Sequence, residues 1–238
     1  MKIAVCAKHV PEATAQRRLD PQTRRLDRSG EGTLNQFDVH AVEEALRLRE
    51  ASGEGEVTIV SLGPERALEA MRKALAMGAD RIVLVSDEGA DLVLFGQQAN
   101  DSDGAVLWAA VADRLQRPLI SQVAELEHED GKVRGKRQTE FGYDVIEAPL
   151  PAVIAVSDAI NEPRYPSLKG IMGAKKKPQE QLSLDDLGVD AGQAGEQGSK
   201  TEVLALSDPP SRGDARKIED DGNAAQAIVD FLAEKRLV

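Results

Sequence analysis

The sequence predicts an α/β fold: a doubly wound, mainly parallel sheet with a C-terminal extended arm. Three observations carry this. Short aliphatic runs recur along the 238 residues, stretches with helical spacing lie between them, and aromatic residues make up only 3%. The core is therefore built from Val, Ile, Leu and Ala. Buried parallel strands covered by helices read as such short, continuous aliphatic runs.

Taken in order, residues 2–7 (KIAVCA) read as the first strand. Residues 36–50 (QFDVHAVEEALRLRE) place Val39, Val42, Ala45, Leu46 and Leu48 near one helical face, with Glu43, Glu44, Arg47 and Arg49 outside and Asn35 as N-cap. Residues 56–61 (EVTIVS) form the second strand. Residues 64–77 form the second helix, Pro64 suiting its first turn and Gly78 its stop. Strands at 81–86 (RIVLVS) and 91–96 (DLVLFG) follow. Residues 104–115 (GAVLWAAVADRL) are a mostly apolar helix, expected to pack on both sides. Strands at 119–123 (LISQV) and 152–156 (AVIAV) complete a Rossmann-like core.

One junction breaks the pattern. Only Asp87, Glu88, Gly89 and Ala90 separate the strands at 81–86 and 91–96, whereas parallel neighbours need a crossover of about a dozen residues. Either the two strands pair as a hairpin or a crossover helix is absent. The aliphatic character of both strands favours absence.

Beyond Val156 the character changes. Residues 157–177 have no period and end in a triple lysine, and residues 188–200 are rich in Gly and Gln and expected to be mobile. Residues 202–206 read as a further short strand, 208–214 as a loop around Pro209 and Pro210, and 223–236 as a closing amphipathic helix. The organisation expected is a core over 1–156, a loop and linker over 157–200, and an arm over 201–238.

Composition excludes several classes. The 25.6 kDa chain, 41% hydrophobic and 30% charged, suits one large domain or one with an appendage. A single cysteine, Cys6, rules out a disulfide framework. His9, His40 and His128 lack zinc-hydrolase spacing. A net charge of -11 and a pI near 4.9 argue against nucleic acid. No apolar run approaches the roughly 20 residues of a membrane helix, and the opening MKIAVCAKHV lacks a signal-peptide cleavage site. A cytoplasmic protein without membrane insertion is expected. With no plausible nucleophile–base pair or metal cluster, the chain is not expected to be an enzyme.

The strand ending at Gly96 runs into Gln97, Gln98, Ala99, Asn100, Asp101, Ser102, Asp103 and Gly104, then a helix. Ligands of open parallel sheets sit beyond the carboxyl ends of the strands, where helix amino ends offer amides to phosphate. Gly96 allows close backbone approach, and Gln97, Gln98, Asn100 and Ser102 supply neutral hydrogen-bonding groups. The blander reading, that Asn100, Asp101 and Ser102 cap the helix, stands beside it. Cys6 and Ala7, Ser61, Leu62 and Gly63, and the helix start at Asn35, Gln36, Phe37 and Asp38 complete the pocket. Cys6, on an apolar strand end, reads as a small hydrophobe rather than a reactive thiol.

The stretch from Glu162 to Lys177 (EPRYPSLKGIMGAKKK) resembles the signature of the electron transfer flavoprotein β subunit. KIAVCAKHVPE, LNQFDVHAVEEALRL, VSLGPERALEAMRKALAMGADR and DLVLFGQQANDSD support it, so the resemblance covers the chain to about Asp190. It implies a heterodimer with an α subunit, one FAD held mainly by α, and AMP buried in β; in electron-bifurcating relatives a second FAD takes that place. It implies a carrier moving electrons from flavin dehydrogenases, such as acyl-CoA dehydrogenases, to a membrane quinone oxidoreductase or other acceptor. The pocket residues named above match the family's nucleotide contacts, and Phe37 also matches a residue near the flavin. Ala13 stands where relatives often carry a tyrosine, and residues 11–31 would reach the α subunit. Leu168 matches an exposed apolar peg that docks dehydrogenases. Glu162, Arg164, Lys175, Lys176 and Lys177 would steer the partner, with Tyr165, Ile171 and Met172 beside the peg.

The chain also departs from that pattern. Asp103, Gly104, Ala105, Val106, Leu107 and Trp108 replace the usual polar lead into the helix. This leaves backbone amides and Ser102 to face a phosphate, and Asp101 and Asp103 repel an anion unless a cation pairs with them. A standalone adenine-nucleotide-binding regulator is the alternative from another class. An adenylate-using enzyme is disfavoured, since no GxxxxGK[ST] motif is present.

Overall fold

The computed structural model describes residues 1–12, 14–84, 90–195, 197–207 and 222–237. They fall into two units, Met1–Glu202 and Val203–Val238. The first unit contains β1 (Lys2–Cys6), β2 (His9–Pro11), β3 (Gly32–Leu34), α1 (Gln36–Ser52), β4 (Glu56–Val60), α2 (Ala67–Met77), β5 (Arg81–Leu84) and β6 (Leu92–Gly96). It continues with α3 (Leu107–Leu115), β7 (Leu119–Glu129), β8 (Lys132–Thr139), β9 (Gly142–Pro149), β10 (Ala152–Val156), α4 (Leu168–Ala174) and β11 (Gln179–Gln181). The second unit holds α5 (Ala224–Glu234).

Nine strands form one sheet in the order β11-β5-β4-β1-β6-β10-β7-β8-β9. Pairing is parallel from β11 through β7 and antiparallel across β7, β8 and β9. Alternate residues of the central strands face opposite layers. Ile3, Val5, Ile59, Leu92, Leu94 and Ile154 share one core with α1 and α2, while Val93, Phe95, Val153 and Ala155 pack with Ala112 of α3. The fold is thus α/β and doubly wound.

Of the two readings of the junction between residues 81 and 96, the hairpin is excluded, and other expectations need correction. β5 and β6 are separated in the sheet by β4 and β1, so they do not form a hairpin; Val85, Ser86, Asp87, Glu88 and Gly89 lie outside the described residues, as do Ala13, Pro209 and Pro210. α3 is not packed on both sides: of its residues Ala112 is buried, while Val106 and Leu107 at its start are exposed. Residues 202–206 are not a strand, because β propensity describes fit to a pleated surface and does not supply a pairing partner. The stretch after Val156 contains α4, capped by Ser167, whose Oγ accepts the Gly170 N–H at 3.0 Å.

α4 packs on α2. A Cβ at Gly170 would collide with the carbonyl oxygen of Ala76, whereas one at Gly173 would meet nothing within 4 Å. Gly170→Ala should therefore lower stability by about 1–3 kcal/mol through overpacking. Gly173→Ala should be neutral or stabilise by up to about 1 kcal/mol, since alanine suits a helix better than glycine. Urea unfolding of the two variants checks the contrast; equal effects would refute the close packing at Gly170.

Candidate functional site

α1 begins where the carboxyl ends of β1 and β6 lie side by side. Asp38, in its first turn and 6% exposed, accepts the backbone N–H of Lys8 at 2.8 Å and also that of Gly96. A Cβ at Gly96 would lie 2.6 Å from Asp38 Oδ1 and against the backbone of Phe37, so this strand end tolerates only glycine. Burial pushes the Asp38 carboxyl up to about 7, against the opposing pull of hydrogen bonds involving Asn35, Lys8 and Gly96. Asn35 occupies the N-cap position, yet its side chain makes no capping bond. Instead Nδ2 donates to Gln98 O at 2.8 Å, and Oδ1 accepts the Asn100 N–H at 3.0 Å.

The loop after β6 turns at Ala99, whose carbonyl accepts the N–H groups of Ser102 and Asp103. Asp103 and Ala105 adopt φ of 46° and 41°, so the helix starts at Leu107, later than expected, and Asn100, Asp101 and Ser102 do not cap it. Asp101 is held by Lys8 Nζ and Arg28 Nε, each at 2.7 Å. Burial works to raise its carboxyl, but the hydrogen bonds and charges of Lys8 and Arg28 prevail and hold it below the usual aspartate value. Its repulsion toward an anion is thus answered by cations. Arg17 donates to the Asn100 carbonyl, so the arginine-rich stretch between β2 and β3 is tied to this loop.

A cavity of about 440 Å³ opens between these elements. From the expected residues it gathers Cys6, Ala7, Asn35, Asp38, Ser61 and Leu62 on one side, and Gly96, Gln97, Gln98, Ala99, Ser102 and Gly104 on the other. Gln36 and Asn100 instead line a neighbouring groove of about 450 Å³ together with Glu162, Arg164 and Tyr165. Phe37, Gly63, Asp101 and Asp103 line neither. Sequence reasoning missed Lys8, Val60, Phe95 and Val111 in the cavity wall. The strand residues among them were legible from period-2 alternation, since Phe95 points to the same layer as Val93. Ser61 Oγ lies in this wall, 3% exposed, without a hydrogen-bond partner among the described residues.

Around α4, exposed apolar side chains recur at helical spacing. Leu168 is 79%, Ile171 53% and Met172 71% exposed, with Tyr165 at 96% just before the helix. Leu168 thus stands on the first turn of a helix rather than on a loop. The lead-in is clamped to α1. Asn161 Nδ2 donates to His40 O and Glu44 Oε2, both at 3.1 Å, and Arg164 bonds Glu43 at 2.8 Å and Glu50 at 2.6 Å. The Arg164 guanidinium, expected to face a partner, is spent on these carboxylates; Glu50 first and then Glu43 hold its charge. Lys177 also turns inward, donating to the carbonyls of Leu75 and Ala79 at the end of α2. Glu162, Lys175 and Lys176 remain exposed.

The strand order reverses beside β1, and the cavity lies beyond the strand ends at that point. This defines a doubly wound α/β protein with a crevice at its topological switch point. The electron transfer flavoprotein domain profile matches residues 23–91 and 86–187. The chain is 37% identical over 263 positions to the electron transfer flavoprotein subunit beta of Mycobacterium tuberculosis (strain ATCC 25618 / H37Rv), covering 99% of both. It is 40% identical to the subunit of that name from Thermoanaerobacterium thermosaccharolyticum, covering 88% of both. Identity is 34% to the caffeyl-CoA reductase-Etf complex subunit CarD of Acetobacterium woodii, covering 100% of both. The chain belongs to the electron transfer flavoprotein β-subunit family, whose members are electron carriers. The 263 aligned positions exceed the 238 residues of this chain, and the two profile matches meet at 86–91. Among the described residues, no helix is long and apolar enough to cross a membrane.

Asp38 yields a pH prediction. Its folded pKa, about 7, lies above the ordinary aspartate value, so its contribution to stability is fully present below about pH 4 and is lost as pH rises through about 7. The stability advantage of the wild type over Asp38→Asn should therefore be larger at pH 5 than at pH 8, measured by urea unfolding. A difference independent of pH would contradict the buried, proton-binding carboxyl.

Proposed function

We propose that this chain is the β half of an FAD-containing heterodimer with an electron transfer flavoprotein α subunit. In this reading it receives electrons from flavin dehydrogenases, such as acyl-CoA dehydrogenases, and passes them to a membrane quinone oxidoreductase or another acceptor. FAD, held mainly by the α subunit, supplies the redox chemistry when bound. This chain supplies position: the start of α1 near Phe37 covers one side of the flavin, and α4 presents Leu168 to the visiting dehydrogenase. The single observation that carries the reading is the apolar row of Leu168, Ile171 and Met172, braced from behind by Arg164 and Lys177. An exposed apolar cluster on a rigid support has the character of an interface anchor. A standalone regulator has no use for one.

The cavity at the strand ends is read as the site of an adenine-containing ligand, AMP or a second FAD. Its size and the unpaired hydroxyl of Ser61 fit such a group. Asn35, Ser61, Gln98 and Ser102 would hold it.

Leu168→Ala should slow interprotein electron transfer by about tenfold or more while leaving flavin content unchanged; unaltered stopped-flow kinetics would remove the docking role. Transfer should also weaken as salt rises, because Lys175 and Lys176 stand beside the peg on a chain of net charge -11. Denaturing the purified heterodimer and separating the released molecules by chromatography tests the cofactor set. One FAD with AMP per heterodimer supports the carrier reading, two FAD support the bifurcating variant, and a colourless complex would overturn both in favour of a regulator.

A further inference from the structure

We infer that Lys177 is a positioning residue for partner docking: by bonding carbonyls at the end of α2 it fixes the pose in which α4 presents Leu168, Ile171 and Met172. The role rests on the reading of α4 as the docking element and names what holds that element in place. α4 has two faces. Leu168, Ile171 and Met172, at spacings of three and four, are exposed, whereas Gly170 and Ala174, four apart, are the close-packed side. The seat of that side is the last turn of α2, where helix carbonyls lack partners within the helix. α2 carries no basic residue of its own in that turn to answer them. The answer comes from about 100 residues away in sequence. Gly170 lies against the Ala76 carbonyl, and Lys177 Nζ donates to the Leu75 carbonyl at 3.0 Å and to that of Ala79.

A run of lysines is ordinarily a solvated face, and Lys175 and Lys176 are exposed, but Lys177 is half-buried. Burial lowers its pKa from the ordinary lysine value; Asp80 works against that shift and Arg49 works with it. An ammonium drawn partly out of water needs acceptors, and the carbonyls at the negative end of α2 are good ones. Lys177 also stands where the chain leaves α4. The N–H groups of Lys176 and Lys177 still bond the Gly173 and Ala174 carbonyls, and Pro178, whose carbonyl accepts the Ile82 N–H at 3.1 Å, leads into β11 beside β5. Gln179 adds a tie, its Oε1 accepting Arg72 Nε of α2 at 3.1 Å. Arg164 holds the lead-in to α4 on α1 and Lys177 holds its far end on α2. Without the ammonium that far end loses its charged tie, and the apolar row must be ordered at each encounter.

Steady-state reduction of the FAD-containing heterodimer by an acyl-CoA dehydrogenase, with the heterodimer as the varied substrate, tests this. Lys177→Met should raise KM by about fivefold and leave kcat within about twofold. The salt dependence of KM should stay that of the wild type, because the charge removed does not face the partner. Lys177→Arg, which keeps a cationic donor, should bring KM back to within about twofold of the wild type. In a Leu168→Ala background the effect of Lys177→Met should fall below about twofold, since a residue that acts by placing the row then has little left to place. Should Lys177→Met fail to assemble, Lys177→Gln, which loses the charge and keeps an N–H, carries the same comparisons. An unchanged KM in Lys177→Met, with KM raised in Leu168→Ala, overturns the inference and leaves the docking reading standing. So does a full effect in the Leu168→Ala background, a flattened salt dependence, or no rescue by arginine. An unchanged KM in Leu168→Ala, or no reduction of the wild type, overturns the docking reading and the role of Lys177 with it.

Discussion

The carboxylate of Asp38 ties the first turn of α1 to the carboxyl ends of two paired strands, β1 and β6. It sits in the first turn of α1 and accepts amides from Lys8, beyond β1, and Gly96, at the end of β6. Those two strands are neighbours at the centre of the sheet, where the winding direction changes. The bond geometry leaves no room for a side chain at Gly96, so the strand end, the helix start and the loop between them are set together. Burial makes the ionised form of this acid costly, and the amide bonds answer part of that cost. The cavity beyond the strand ends is the space this brace leaves open.

The same economy governs α4, the element proposed to dock a partner. α4 has seven residues, below the length at which a helix is stable in isolation. It persists because its surroundings constrain it: Gly170 lies against the Ala76 carbonyl, Lys177 bonds carbonyls at the end of α2, and the lead-in is pinned to α1 through Asn161 and Arg164. Charges that a sequence reader assigns to a partner are in fact spent on the chain itself. What remains outward is apolar, with Lys175 and Lys176 at its edge. A rigid apolar row loses little entropy on docking, which is what the proposed docking role asks of it.

Much of this was legible in advance. Each aliphatic run expected in the core became a strand, because strands buried on both faces need no alternation to be recognised. β8 escaped notice because its residues are mostly polar, with Val133 and Gly135 turned inward and charges between them, and β9 because its run is broken by Asp144 and Glu147 and leaves Tyr143 and Val145 exposed. A signal was present: Asp130 and Gly131 both adopt positive φ, of 48° and 73°, as an Asp-Gly hairpin turn demands. α4 was hidden by its two glycines and its brevity. The roles of Lys8 and Arg28 could not be read locally, since their partner, Asp101, is more than 70 residues away in sequence. Asn35 was placed correctly at a helix start, but its side chain serves the distant loop rather than its own helix.

The occupant proposed for the strand-end cavity is a planar ring seated between the Ser61 hydroxyl and the start of α3. A crystal structure of the heterodimer, purified without added nucleotide, tests it most directly. The expected result is density for a planar ring within hydrogen-bonding reach of Ser61 Oγ and in contact with Trp108. Side chains from either subunit filling that space, with Ser61 bonded to one of them, would contradict it.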